Sequence, residues 1–225
     1  MFFGTFIGKL KQDFLRETTP SHGRALGLPS AKRDRSLGVL MEDHELQTAI
    51  REGAFAQLPP GSLTRERLVA ANASGNTPLH GCAKHGRLRD LPAGILDSTT
   101  LTLKNDAGYT PLHHAALGGH LGQVPEEFLT GEYLATRSNA GVTVYHLAAA
   151  HGHLDQVPSR LITPEVVLRR TDVGNTLLHE AAENGTLDRI PAAFLTAENL
   201  AQKNLGGETV LHVAAFNGNL NQIPA

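Results

Sequence analysis

One histidine repeated at a fixed interval constrains this chain more than any other feature. His80, His113, His146, His179 and His212 stand 33 residues apart. The same step carries Gly75, Gly108, Gly141, Gly174 and Gly207, and Thr77, Thr110, Thr143, Thr176 and Thr209. It also carries Gly53, Gly86, Gly119, Gly152, Gly185 and Gly218, and Pro59, Pro92, Pro125, Pro158, Pro191 and Pro224. With 23 glycines in 225 residues, six in one column have a chance probability on the order of 10⁻⁶. A chain with such a period is expected to stack copies of one small unit, each burying its apolar side against its neighbours.

Each column has a physical reason. The glycine before x-Thr suits the φ > 0 position of a tight turn. The threonine serves as N-cap, accepting from a free backbone N–H. Pro78 and Pro111 fit the first helical position, where no N–H is needed. Leu79 and the small residues after the histidine give a short helix, which Gly86 and its equivalents end in the left-handed conformation.

The unit is clearest in GYTPLHHAA (108–116) and GNTPLHGCA (75–83), and it decays to GVTVYHLAA, GNTLLHEAA and GETVLHVAA. This pattern resembles the ankyrin repeat over roughly residues 42–225. The resemblance implies an all-α, ankyrin-like helical repeat solenoid with short β-turn or hairpin-like connections. It divides the chain into an N-terminal amphipathic segment and flexible linker (1–41) and a repeat domain (42–225). The domain opens on a degenerate cap repeat (42–71), with Gln47 in the histidine column. Repeats follow from about 72, 105, 138, 171 and 204. The last is cut short, so its outer face near Leu220 and Ile223 lacks a following repeat.

The second half of each unit departs from that family. It reads Leu-x-x-(Val/Ile/Leu)-Pro, as in HLDQVP and TLDRIP, and proline interrupts a helix. Then comes Leu-Thr-x-Glu-x-Leu, as in LTRERL, LTGEYL and LTAENL. Thr64, Asp97, Thr130, Thr163 and Thr196 are good N-caps, and Glu66, Glu132, Glu165 and Glu198 suit the first turn through the helix dipole. Two very short helical pieces are predicted in place of one long helix.

Residues 1–41 carry 7 − 3 = +4 charges, against 13 − 19 = −6 for the rest. Phe3, Ile7, Leu10 and Phe14 fall on one face of a helix. That face either packs over the first repeat or docks on a membrane surface or partner through residues 1–15.

The chemistry expected is sparse. Cys82 is the only cysteine, which removes internal disulfides and any zinc site needing two thiolates. It sits in a column otherwise filled by alanine, as a packing residue would. The reducing cytoplasm is the expected setting. A net charge of −2 draws no nucleic acid, and no apolar run of 18 residues marks a membrane-spanning helix. The five register histidines stand one unit apart, too far to share a metal. Residues 179–183 read His-Glu-Ala-Ala-Glu, lacking the second histidine of a zinc-hydrolase helix. No catalytic, cofactor-binding or metal-binding residue is therefore expected, and the Thr and His columns (Thr77/His80 to Thr209/His212) are read as structural.

By the same resemblance, partner contacts fall at the turn tips and at the two residues before the helix-ending glycine. The tips hold Asn76, Tyr109, Val142, Asn175 and Glu208. The helix ends hold Lys84 and His85, Leu117 and Gly118, Ala150 and His151, Glu183 and Asn184, and Phe216 and Asn217. Tyr109, Leu117 and Val142, in adjacent copies, are expected to form an apolar patch. The function expected is a non-catalytic protein–protein interaction module, a scaffold presenting a concave surface to an unidentified protein. The alternatives are a membrane-associated adaptor and a secreted bacterial effector binding host proteins. Self-association through the cut-short last repeat is a further expectation.

Overall fold

The computed structural model describes residues 43–223, and these are helical, with no strand among them. The fold class is all-α. Five helices of seven to ten residues share one register with a shift of 33: α1 (Asp43–Glu52), α3 (Pro78–Lys84), α5 (Pro111–Gly118), α7 (Val144–Ala150) and α9 (Leu177–Asn184). A sixth, α11 (Val210–Phe216), continues the series. Between them lie four-residue helices: α2 (Arg65–Leu68), α4 (Ser98–Leu101), α6 (Gly131–Leu134), α8 (Pro164–Val167) and α10 (Ala197–Leu200). Each register helix packs on the one before and the one after, from α1 to α11.

The local causes are visible in the caps. Thr64, Asp97, Thr130, Thr163 and Thr196 each accept a backbone N–H from the third residue of the short helix that follows. The Leu-x-x segment before each register proline forms one turn of 3₁₀ helix, such as Leu121–Gln123 and Leu154–Gln156. Pro125, Pro158 and Pro191 then stand extended, and a second 3₁₀ turn follows each (Glu126–Phe128, Ser159–Leu161, Ala192–Phe194). A proline has no N–H to continue a helix and pushes its predecessor toward extended backbone.

The core is a set of columns. Leu79, Leu112, Tyr145 and Leu178 are buried, as are Leu88, Leu121, Leu154 and Leu187 after the helices, and Leu68, Leu101, Leu134, Val167 and Leu200 in the short ones. Small residues let the register helices approach closely. At Gly118 an added Cβ would collide with the Lys84 carbonyl oxygen of α3, so no side chain fits at the end of α5.

Hydrogen bonds stitch successive units along the turns that precede the register helices. Backbone N–H groups of Asp106, Asn139, Asp172 and Leu205 donate to carbonyls of Ser74, Ala107, Ala140 and Val173 in the turn before. A column of cations does the same with side chains. Lys104 donates to the Arg137 carbonyl (2.9 Å), Arg137 to that of Arg170 (2.9 Å), and Arg170 to that of Lys203 (2.6 Å).

Candidate functional site

The histidine column is the chemical centre of each unit. In α3, Nδ1 of His80 accepts the backbone N–H of Thr77 at 3.1 Å and lies 2.8 Å from the Thr77 hydroxyl. Accepting at Nδ1 places the ring proton on Nε2. Nε2–H then donates to the Tyr109 carbonyl of the next turn at 3.1 Å, with the Leu103 carbonyl also within its reach. His113 and His179 repeat this toward Val142 (3.2 Å) and Glu208 (3.1 Å). Nε2 of His146 instead donates to the Arg169 carbonyl, at 3.0 Å. The ring thus caps its own helix and clamps both limbs of the next turn.

This geometry holds the rings neutral. Burial pushes His80, His113 and His146 down to about 4 and outweighs the carbonyls that favour the charged form. His179 is lowered for the same reason. His114, off the register column, is lowered well below its ordinary value by burial and then by its histidine neighbours. Its ring stands edge-on to His80 at 5.0 Å. Burial likewise pushes the Cys82 thiol up to about 12.

Glu180 in α9 is the least expected residue. It is fully buried. One carboxyl oxygen accepts from Asn175 Nδ2 at 3.1 Å, while the other has no hydrogen-bond partner. Burial drives its carboxyl up to about 8, so it is mostly protonated at neutral pH. A period-33 reading does flag it. Its column holds Gly81, His114, Leu147 and Val213, so the two polar members stand out.

The expected contact residues divide in two. Tyr109, Val142 and Asn175 are not exposed turn tips, because they are 8 %, 0 % and 8 % exposed. Tyr109 turns its ring onto His113 (5.3 Å). Asn175 is spent on Glu180 and on Asn204 Nδ2 (3.0 Å). These side chains point into the stack, and the expected Tyr109–Leu117–Val142 patch does not form. Asn76 is half-buried and accepts from Asn105 at 2.8 Å. Ala150 is buried in α7. The remaining helix-end residues do reach the surface. Lys84, His85, Leu117, Gly118, His151, Glu183 and Asn217 are half-buried, and Asn184, Glu208 and Phe216 are exposed.

Among the described residues, no three His, Cys, Asp or Glu side chains gather as a metal site requires, and no helix is long and apolar enough to cross a membrane. The amphipathic stripe at Phe3, Ile7, Leu10 and Phe14 lies outside the described residues.

These features define an all-α protein built on histidine-clamped helices. No family model and no curated protein matches the chain. Among solved structures it is similar to a chain in the structure of Bd0816 predatory endopeptidase from Bdellovibrio bacteriovorus in complex with immunity protein Bd3460. The identity is 24%, the TM-score is 0.58, and the match covers 79% of this chain and 94% of the other. It is one of 359 matching chains, so at this identity the likeness speaks for the fold alone. It nonetheless corrects the expectation of a general scaffold presenting a concave surface. The chain that shares the fold belongs to a complex of an endopeptidase with its immunity protein.

Proposed function

We propose that this chain is an immunity-type protein, one that binds an endopeptidase and holds it inactive without cleaving peptides itself. The observation that carries this reading is the likeness to a chain of the endopeptidase–immunity complex. The chemistry of the described residues favours the inhibitor side of such a pair. A peptidase needs a nucleophile or an activated water beside a group that exchanges protons. Here His80, His113, His146 and His179 spend both ring nitrogens on their own cap and the next turn. The one thiol is buried and held protonated.

With this reading goes an ankyrin-like solenoid over 42–225, supported by the shared Gly, Thr and His columns. The proposed contact row takes one helix-end residue from each histidine-bearing unit except that of α7, where Ala150 is buried. Lys84, Leu117, Glu183 and Phe216 form it, flanked by His85, His151, Asn184 and Asn217. These positions differ in chemistry from unit to unit while the clamp does not, as recognition by a stacked array requires.

The test is capture of proteins from the source organism on the immobilised chain, followed by casein hydrolysis by what is retained. The expected result is a retained endopeptidase whose activity falls to background when the free chain is added back in equal amount. Casein cleavage by the purified chain alone refutes the reading. So does a retained peptidase that the chain leaves fully active.

A further inference from the structure

Positive charge gathers along the left-handed glycines that end the first register helices. Arg87, His120 and His153 hold one column at a shift of 33. Each lies over the glycine one unit earlier. A Cβ added at Gly53, Gly86 or Gly119 would collide with the Arg87 guanidinium, the His120 ring or the His153 ring. Arg51 of α1, Lys84 of α3 and His85 join them, and all but Arg51 are half-buried.

These groups act on one another. Burial is the first cause that holds His85 below its ordinary value, and Lys84, Arg51, Arg87 and His120 lower it further. His120 is lowered by burial, then by His153 and Arg87. Every charge acting on these two rings is positive. Among the described residues, no side-chain hydrogen bond or ion pair engages His85, Arg87, His120 or His153, and Nε of Arg87 is buried without a partner. Like charges held together on half-buried side chains repel one another, and an anion laid across them relieves that repulsion. The positive stretch also has an end. Thr186 and Asn219 continue the column without charge, and the flanking column changes from Lys84 to Glu183.

We propose that the edge formed by Lys84, His85, Arg87, His120 and His153 seats an acidic polypeptide segment lying extended across the units of α3, α5 and α7. Packed helices stand about 8–10 Å apart, and three residues of extended chain span about 10 Å. Carboxylates at every third residue therefore meet successive units. In the inhibitor reading, on which its owner rests, the segment belongs to the endopeptidase. A nucleic acid fits this edge less well. The column holds no Phe, Tyr or Trp to stack a base, and residues 42–225 carry 13 − 19 = −6 charges against a long polyanion.

Fluorescence anisotropy tests this on the full chain, with a labelled peptide of about 12 residues carrying Glu at every third position. The expected dissociation constant is on the order of 10–100 µM in about 50 mM salt. It weakens at least about tenfold in about 300 mM salt. It tightens from about pH 7.5 to about pH 6.5, because bound carboxylates favour the charged forms of His85 and His120. Arg87→Glu and His120→Glu, each folded by circular dichroism, are expected to weaken binding at least about tenfold. Lys203→Glu, in a turn of the last unit, is expected to leave it unchanged. No binding at about 1 mM chain overturns the proposal. So does equal loss in Lys203→Glu, affinity indifferent to pH, or an oligothymidylate of equal charge that binds more tightly than the peptide. The assay contains no peptidase, so its failure is distinct from failure of the inhibitor reading.

Discussion

The histidine clamps make this fold acid-labile in a calculable way. A ring whose folded pKa is depressed contributes stability that is complete above the unfolded value and is lost as pH falls toward the folded one. For His80, His113 and His146 those limits are 6.5 and about 4. At about 1.4 kcal/mol per pKa unit, each ring gives up about 3 kcal/mol across the window, and the three together on the order of 10 kcal/mol. That is comparable with the whole stability of an ordinary domain, about 5–15 kcal/mol. Glu180 runs the other way. Its folded value is raised from 4.5 to about 8, so its contribution is complete below 4.5 and is lost as pH rises to 8. Between pH 6.5 and 8 that loss is about 2 kcal/mol. Stability should therefore peak close to pH 7, falling steeply on the acid side and gently on the alkaline side. Urea unfolding followed by circular dichroism from pH 4.5 to 9 measures it. Glu180→Gln should flatten the alkaline limb and leave the acid limb in place. A urea midpoint that stays constant from pH 7 to pH 5 would refute the reasoning, because it would mean that protonating the rings costs the folded state nothing.

Three further outcomes follow from the packing. Gly118→Ala forces a methyl into the Lys84 carbonyl; a loss of about 1–3 kcal/mol should appear as a lower thermal midpoint. Cys82, fully buried and with its thiol pushed up to about 12, should react with a thiol reagent only at the rate of unfolding, and rapid native labelling would contradict its burial. Arg137→Ala removes a tie to the Arg170 carbonyl and an ion pair with Asp172 at 2.7 Å. Both are exposed, so the change in urea midpoint should correspond to no more than about 1 kcal/mol.

What the sequence makes legible is what each unit decides locally. The threonine caps, the proline breaks and the left-handed glycines, such as Gly119 at φ 74°, are all readable because their causes lie within four residues. The burial of Tyr109, Val142 and Asn175 has a cause about 30 residues away, in the unit that closes over them, and no property of the turn itself reports it. The cation column at 104, 137, 170 and 203 could have been found by the same period that exposed the histidines. Its function could not, because it depends on carbonyls of the next unit. Glu180 is legible only as an odd member of its column, since its Asn175 partner is a contact of the folded turn.

The last unit separates the two kinds of cause within one molecule. Thr209 and His212 keep the local cap, with Nδ1 2.7 Å from the hydroxyl. The described residues supply no carbonyl for the Nε2 of His212, and its ring is exposed where four predecessors are buried. The same residues in the same local geometry therefore lack only the contribution of a neighbour. Leaving Leu211 and Leu220 about half exposed forgoes about 1 kcal/mol each, and the missing clamp forgoes about 1 kcal/mol more. Amides of α11 should then open at about 3 kcal/mol less than those of α7, which is exchange roughly 100-fold faster at the rate of about 1.4 kcal/mol per decade. Hydrogen exchange at low micromolar concentration reads this directly. Equal protection of α7 and α11 there would show that the inter-unit contacts contribute little, and that the local caps suffice to hold each helix.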